Sequence, residues 1–327
     1  MNKKIVTILF ISAAFFLNAC QKNSDVFVPD PGQNNTADTT WKNTISATAP
    51  VFSLHTNSLL EPVRDSFEVS PNPVTIITAN GVQITFPANC CVGSAGQAIT
   101  GKVYIEVLLI KKKGDMVLMN KPTSSNGRVL VSGGELFISL SKNGQALQLA
   151  PNAKLQIRYA DVLPSTQMKL FVGDETVPAR FNWLPAQDSN NNFVNAGLQF
   201  YEITTNHLRW INCDYFYDTT GITRSTVSTG LASNYTNANT AAFVVFKDFR
   251  TVMALNADVP ERRFLSPKIP NGKLAVVVVL SKQGNDYFLA KETITTGVNV
   301  STANNLKISL TPVKTSLADI KLYLSTL

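Results

Sequence analysis

Histidine is nearly missing from this chain: 327 residues contain two, His55 and His207. A Ser-His-Asp system needs a rigidly held imidazole, and only His207 lies in a stretch with strand-like patterning. Charge is sparse as well. Charged residues are 16% of the chain, and the formal +7, or +5 without Lys3 and Lys4, is scattered. The only runs are Lys111-Lys112-Lys113 and Arg262-Arg263, neither interleaved with aromatics, which argues against a nucleic-acid surface. The triple Lys reads as a solvated guard on a sheet edge. Cysteine is limited to four residues with no C-x-x-C spacing, so a zinc or thioredoxin-like site has no support. No Gly-x-Ser-x-Gly elbow, Gly-x-Gly-x-x-Gly or phosphate-binding loop occurs. What the chain has in quantity is apolar residues, 44% of the total, enough for folded domains rather than a disordered polymer.

The first twenty residues carry a positive start at Lys3 and Lys4, then an apolar run from Ile5 to Phe16. The run, 12 residues, is shorter than the roughly 20 needed to span a bilayer as a helix. Leu17-Asn18-Ala19-Cys20 follows and resembles the lipobox of bacterial lipoprotein signal peptides. That resemblance implies cleavage before Cys20, a diacyl thioether on its sulfur, and a membrane-anchored mature protein. Residues 1–19 are therefore read as signal peptide, and the polar, Pro- and Gly-bearing stretch over 20–70 as a lipidated tether. Of the other cysteines, Cys213 is expected to bridge to Cys90 or Cys91, since adjacent cysteines close a strained ring. Three buried thiols are the alternative.

From residue 71 onward the pattern is that of strands. Val74–Ala79 and Val82–Phe86 flank Asn80-Gly81, and Leu136–Leu140 returns through Leu147 and Leu149 after Asn143-Gly144. Both dipeptides predict hairpins with positive φ angles at the turn. Alternation at Val103–Leu109 and Leu155–Tyr159 adds further half-buried strands. Val276–Val279 is apolar without a break, which predicts a strand buried on both faces. Ser316 and Asp319 predict a capped terminal helix with Leu317, Ile320 and Leu324 inward. The expected fold is all-β, with two antiparallel β-sandwich-like domains and a short C-terminal helix. The first occupies 71–162 and the second 216–327. A connecting segment with short strands, rich in Pro and Asn, fills 163–215.

Several separated stretches resemble a module of uncharacterised Bacteroidota envelope lipoproteins. They are Gly81–Asn89, Thr100–Val103, Met119–Thr123, Ser132–Leu136 and, further on, Trp210-Ile211-Asn212-Cys213-Asp214. The module is similar in layout to the β-sandwich domain of ankyrins and netrin receptors. Some relatives of that domain cleave themselves at a His-Phe-Ser triplet, which this chain lacks. The resemblance implies an outer-membrane lipoprotein, on the surface or the periplasmic face.

Candidate chemistry is thin. His207 and Asp214 are the residues an envelope hydrolase would use. Trp210, Tyr215 and Tyr217 could form a ligand surface that stacks on sugars, as in a glycan-binding component of polysaccharide uptake, or could fill a core. Ser139-x-x-Lys142 matches an acyl-enzyme motif, but its odd spacing on a strand sends the two to opposite faces. Asp188, Asn190 and Asn192 imitate half of a calcium loop, with Phe193 and Gln199 where Gly and Glu belong. Asp38-Thr39-Thr40 and Asp218-Thr219-Thr220 resemble O-glycosylation triplets. No cofactor or metal is expected. The leading expectation is a non-enzymatic, lipid-anchored module whose partner is an envelope protein or glycan, with no nucleic-acid role.

Overall fold

The structure is a computed structural model that describes residues 39–177, 180–301 and 303–327. Cys20 and Asp38 lie outside those residues. Strands hold 49% of the chain and helices 8%, so the protein is all-β, as the alternation predicts. A central sheet runs in the order Val63–Val69, Gly101–Ile110, Arg128–Lys142, Arg209–Phe216, Lys169–Val177, Arg180–Pro185, every pair antiparallel. An outer antiparallel sheet follows the order Phe193–Ala196, Phe200–Thr205, Leu155–Ala160, Gln83–Phe86, Val74–Ile77. In a third sheet Thr240–Phe246 lies between Val252–Asp258 and Leu274–Gln283. Asn305–Ser309 joins this sheet by pairing in parallel with Arg224–Gly230.

Side-chain alternation turns these sheets into a stack. Val103, Ile105 and Val107 pack with Ile84, Phe86 and Ile157 to fill the space between central and outer sheets. The intervening residues Leu108 and Ile110 face the other way, into a second core with Phe243, Val245, Val276 and Val278 of the third sheet. Beyond it, Val244, Phe246, Val277 and Val279 fill a third core with Val227, Phe264 and Ile308. The unbroken run from Val276 to Leu280 is thus explained: each residue is at most 5% exposed because both faces are covered. Full burial of one such side chain stabilises by about 1.5–3 kcal/mol.

Three short helices seal the second core. Pro50–Asn57 contributes Leu54, Lys113–Leu118 contributes Met116 and Val117, and Leu317–Leu324 contributes Ile320 and Leu324. The last helix is capped as predicted: the Ser316 hydroxyl accepts from the Asp319 backbone N–H at 3.0 Å, while Leu317 is only half-buried.

Two boundaries differ from the expected ones. The segment 20–70 is not all tether, since Pro50–Asn57 is a docked helix and Val63–Val69 is an edge strand of the central sheet. Before them, the Asn237 side chain clasps the backbone of Lys42, accepting from its N–H at 3.1 Å and donating to its carbonyl at 2.7 Å. Trp41 meanwhile lies against Phe264, with ring centroids 4.9 Å apart. Nor is 163–215 a connector. It supplies Lys169–Val177, Arg180–Pro185 and Arg209–Phe216 to the central sheet and two strands to the outer one. Asn190, Asn191 and Asn192 sit in a turn, while Tyr201 and Ile203 alternate inward.

The two hairpin turns are unlike each other. Asn143 and Gly144 have φ of 52° and 77°, a primed turn between paired Lys142 and Gln145. At the other, pairing stops at Ile77 and Gln83, and only Gly81 (φ 80°) is left-handed. There the Thr78 hydroxyl accepts from the Val82 N–H at 3.1 Å and widens the loop.

Ser132-Gly133-Gly134-Glu135 is where the central sheet comes closest to the outer one. The register against Arg209–Phe216 slips between Cys213 and Asp214, leaving Gly133 as the extra residue of a bulge. A methyl group on Gly133 would stand 2.8 Å from the Tyr201 ring and 3.0 Å from the Cys213 carbonyl. Gly134 has φ 144° and lies under Tyr159. Gly133→Ala is expected to lower unfolding free energy by about 2–4 kcal/mol in urea titration, and a change below half a kcal/mol, roughly the surface-substitution range, would disprove the close packing.

Candidate functional site

Three of the stretches that resemble lipoprotein motifs converge between the central and third sheets. Ser132–Leu136 and Trp210–Asp214 are on adjacent strands, with Asn212 opposite Glu135 and Asp214 opposite Ser132. The third, Met119–Thr123, lies across them. Lys121 sits over the rings of Phe181 (3.8 Å) and Trp210 (4.7 Å). Thr123 pins the third sheet: its N–H donates to the Val252 carbonyl and its hydroxyl accepts from the Val252 N–H, both at 2.8 Å.

The face that these strands turn toward the third sheet is polar and sealed. Glu135, Asn212 and Asp214 are each 0% exposed. The Ser132 hydroxyl donates to Asn212 Oδ1 at 3.1 Å, and Asn212 Nδ2 donates to Asp214 Oδ2 at 2.6 Å. Asp214 Oδ1 and both Glu135 carboxyl oxygens have no hydrogen-bond partner among the described residues. An ionised carboxylate in that setting is costly, which favours the protonated form. Burial raises Glu135 well above the usual carboxylate range, the neighbouring Asp214 charge adds to it, and Lys121 opposes it. Burial likewise pushes Asp214 up to about 7, against hydrogen bonds from Ser132 and Asn212. Lys121 is pulled down by its own burial and held by Glu175, 3.5 Å away.

The chemistry open to this cluster is proton storage. Glu135, Asp214, Asn212 and Ser132 offer hard oxygen donors. Among the described residues, however, no three His, Cys, Asp or Glu side chains are grouped to hold a metal ion. Asp188 and Asn192 form a turn: Asn192 is buried and donates to the Gln187 carbonyl at 2.9 Å, while its Oδ1 accepts from the Thr205 hydroxyl at 2.9 Å.

The sequence-predicted site residues are dispersed. His207 is half-buried and lies two residues before the strand that carries Asp214. Seven residues of extended chain at about 3.3 Å each span about 23 Å, and neither Asp214 oxygen bonds to His207. Trp210, 6% exposed, fills the second core. Tyr215 packs against the first core, and Tyr217 stacks on Phe249 at 4.9 Å in the third. Strand alternation together with the bulge sends these aromatics to three different layers, so they make no shared ligand surface. Ser139 and Lys142 are apart too, bonded to Glu106 and to the Thr100 carbonyl.

The expected bridge from Cys213 to Cys90 or Cys91 is not formed. All three thiols are free and buried. Cys213 is buried among the first-core residues with Tyr159, and burial pushes its thiol up. Cys90 and Cys91 turn toward each other, sulfurs 3.1 Å apart. The triple Lys is not a solvated guard either. Lys111 pairs with Asp161 at 3.1 Å and Lys113 donates to the Phe246 carbonyl, tying the central sheet to both neighbours.

His55 is the residue that sequence reasoning misplaced. It is 8% exposed on the docked helix, its Nδ1 donates to the Leu118 carbonyl at 3.1 Å, and its ring meets Phe243 edge-on. Burial, aided by the Lys121 charge and opposed by that hydrogen bond, brings its pKa down to about 4. It borders a cleft of about 800 Å³ shared with Asn120, Phe181 and Asn237. No helical signal marks it beyond Pro50 at the helix start. No protein family, curated protein or solved structure matches the chain.

His55 and Asp214 act on stability in one pH window with opposite signs. The folded state resists protonating His55, so its contribution is present above pH 6.5 and lost as pH falls toward 4. The folded state keeps the Asp214 proton, so that contribution is present below pH 3.8 and lost as pH rises to about 7. Each amounts to about 3–4 kcal/mol, and Glu135, raised by the same burial, adds to the loss on the alkaline side. Asp214→Asn is expected to make stability fall less steeply than the parent's from pH 4 to 6.5 in denaturant titrations. His55→Asn should give stability that declines over the same interval, and parallel curves for parent and both variants would refute the assignment.

Proposed function

We propose that the protein is a lipid-anchored module of a bacterial envelope that acts by binding or structural support, with an envelope protein or a glycan as partner. The observation that carries this reading is Leu17-Asn18-Ala19-Cys20 behind a basic start and an apolar run. A thiol at that position is what thioether attachment of a diacylglycerol requires, and its two acyl chains suffice for stable retention. The non-catalytic part of the reading is supported by the placement of the polar groups. The acids that converge do so in a sealed layer, and His207 lies outside the strand that carries Asp214. The similarity to Bacteroidota lipoproteins favours the outer membrane, on either face. Asp218 and Thr220 lie in an exposed turn held by a 2.8 Å bond from the Thr220 N–H to Asp218 Oδ1, a position that a glycosyltransferase could reach.

Metabolic labelling with palmitate tests the anchor. The parent is expected to take up label and sediment with membranes, and Cys20→Ser to lose both. An unlabelled parent, or a variant that still sediments like it, removes the reading. Protease treatment of intact against lysed cells then assigns the face.

A further inference from the structure

The four most exposed large apolar side chains among the described residues are Leu198 (94%), Leu163 (87%), Val162 (79%) and Ile77 (68%). Single exposed aliphatics are ordinary; a cluster is not. All four lie at one end of the outer sheet. Ala160 is paired with Phe200, and Gln83 is opposite both Ile77 and Arg158. The Asp161 N–H donates to the Gln199 carbonyl at 3.0 Å, which sets Val162 beside Leu198. Four neighbouring strands at about 4.8 Å make this apolar end about 14 Å wide. Its loops are braced: the Ser165 N–H donates to the Tyr201 hydroxyl at 2.8 Å, and the Leu163 N–H to Asp161 Oδ1 at 3.2 Å. The tips therefore protrude because the backbone holds them out.

Cations surround the tips. Arg158 is exposed and lies 3.5 Å over the Phe200 ring, Lys169 is exposed where the apolar loop rejoins the central sheet, and Lys112 is exposed beside Lys111. Two acids oppose them. Asp161 is buried and held by Lys111 and Arg250, and Glu202 is opposite Arg158 in register. Between Ile77 and Leu198 a notch of about 680 Å³ has Arg158 in its wall. Protruding aliphatics with a guanidinium between them match a surface that is oily below and anionic above.

We propose that this end of the outer sheet is a membrane-docking site, in which Leu163, Leu198, Val162 and Ile77 enter the acyl boundary of an anionic bilayer and Arg158 takes a lipid phosphate. The site goes beyond the anchoring reading and does not depend on it. Vesicle flotation tests it with the full chain carrying Cys20→Ser, so that no lipid is attached, against the same chain with Leu163→Ser and Leu198→Ser added. The apolar leader is common to both chains, so the difference belongs to the loops. Flotation is expected on phosphatidylcholine mixed with phosphatidylglycerol, to be weaker on phosphatidylcholine alone, and to fall about tenfold per leucine removed. Equal flotation of both chains, equal flotation on both lipids, or none at all overturns the proposal. So does retention of an envelope protein, rather than vesicles, that the double substitution abolishes.

A second readout does not rely on those serines. An environment-sensitive dye on Leu198→Cys should shift to the blue on the anionic vesicles, while a dye on Val313→Cys, exposed on the third sheet, should not. An unshifted Leu198→Cys dye counts against the site just as directly.

Discussion

Both faces of the central sheet are covered, and the rest of the structure follows from that constraint. A sheet packed on one side can place its polar residues in water on the other. Here the strand Arg209–Phe216 has no such side: Ile211 and Cys213 serve one core while Trp210 and Phe216 serve another. Polar residues at 212 and 214 must therefore find partners within the layer. They find them across the strand pair, in Ser132 and Asn212, and where partners run out they hold protons.

The lipoprotein-like motifs acquire a physical meaning from this. Gly133 and Gly134 let the strand pass beneath Tyr201 and Tyr159, and the bulge at Gly133 sets Ser132 opposite Asp214. Lys121 brings a positive charge to the same layer between two aromatic rings. In the fold these residues form a buried polar layer on the central sheet, on the side of the third sheet. Burying two carboxyl groups is a poor source of stability. Buried His55 responds to pH in the opposite sense to the two acids.

Much of the first sandwich was legible because strand alternation depends on local chemistry alone. Val82, Ile84 and Phe86 all reach the first core, as do Leu136, Ile138 and Leu140. The run at Val276–Val279 announced double burial by lacking polar residues altogether. What stayed hidden was long-range. Nothing near His55 says that Leu118 will come to lie beside it, and nothing in Trp210-Ile211-Asn212-Cys213-Asp214 says that the far face is roofed by a third sheet. The stretch 163–215 misled because its Asn-rich turns dominate its composition, while its strands are short and each depends on partners contributed from elsewhere. Whether Trp210 stacks on a sugar or fills a core depends on what lies above it, and that is a property of the assembled layers.

The clasp of Asn237 on Lys42 joins residues 195 positions apart, and helix Pro50–Asn57 rests on Phe243 and Val276 in the same way. Closing so large a loop is slow, although its entropic cost grows only with the logarithm of length. A chain emerging with its amino end first would hold the helix Pro50–Asn57 unseated until the third sheet arrived to receive it. Maturation in this molecule is ring-like: a part made early is among the last to find its berth.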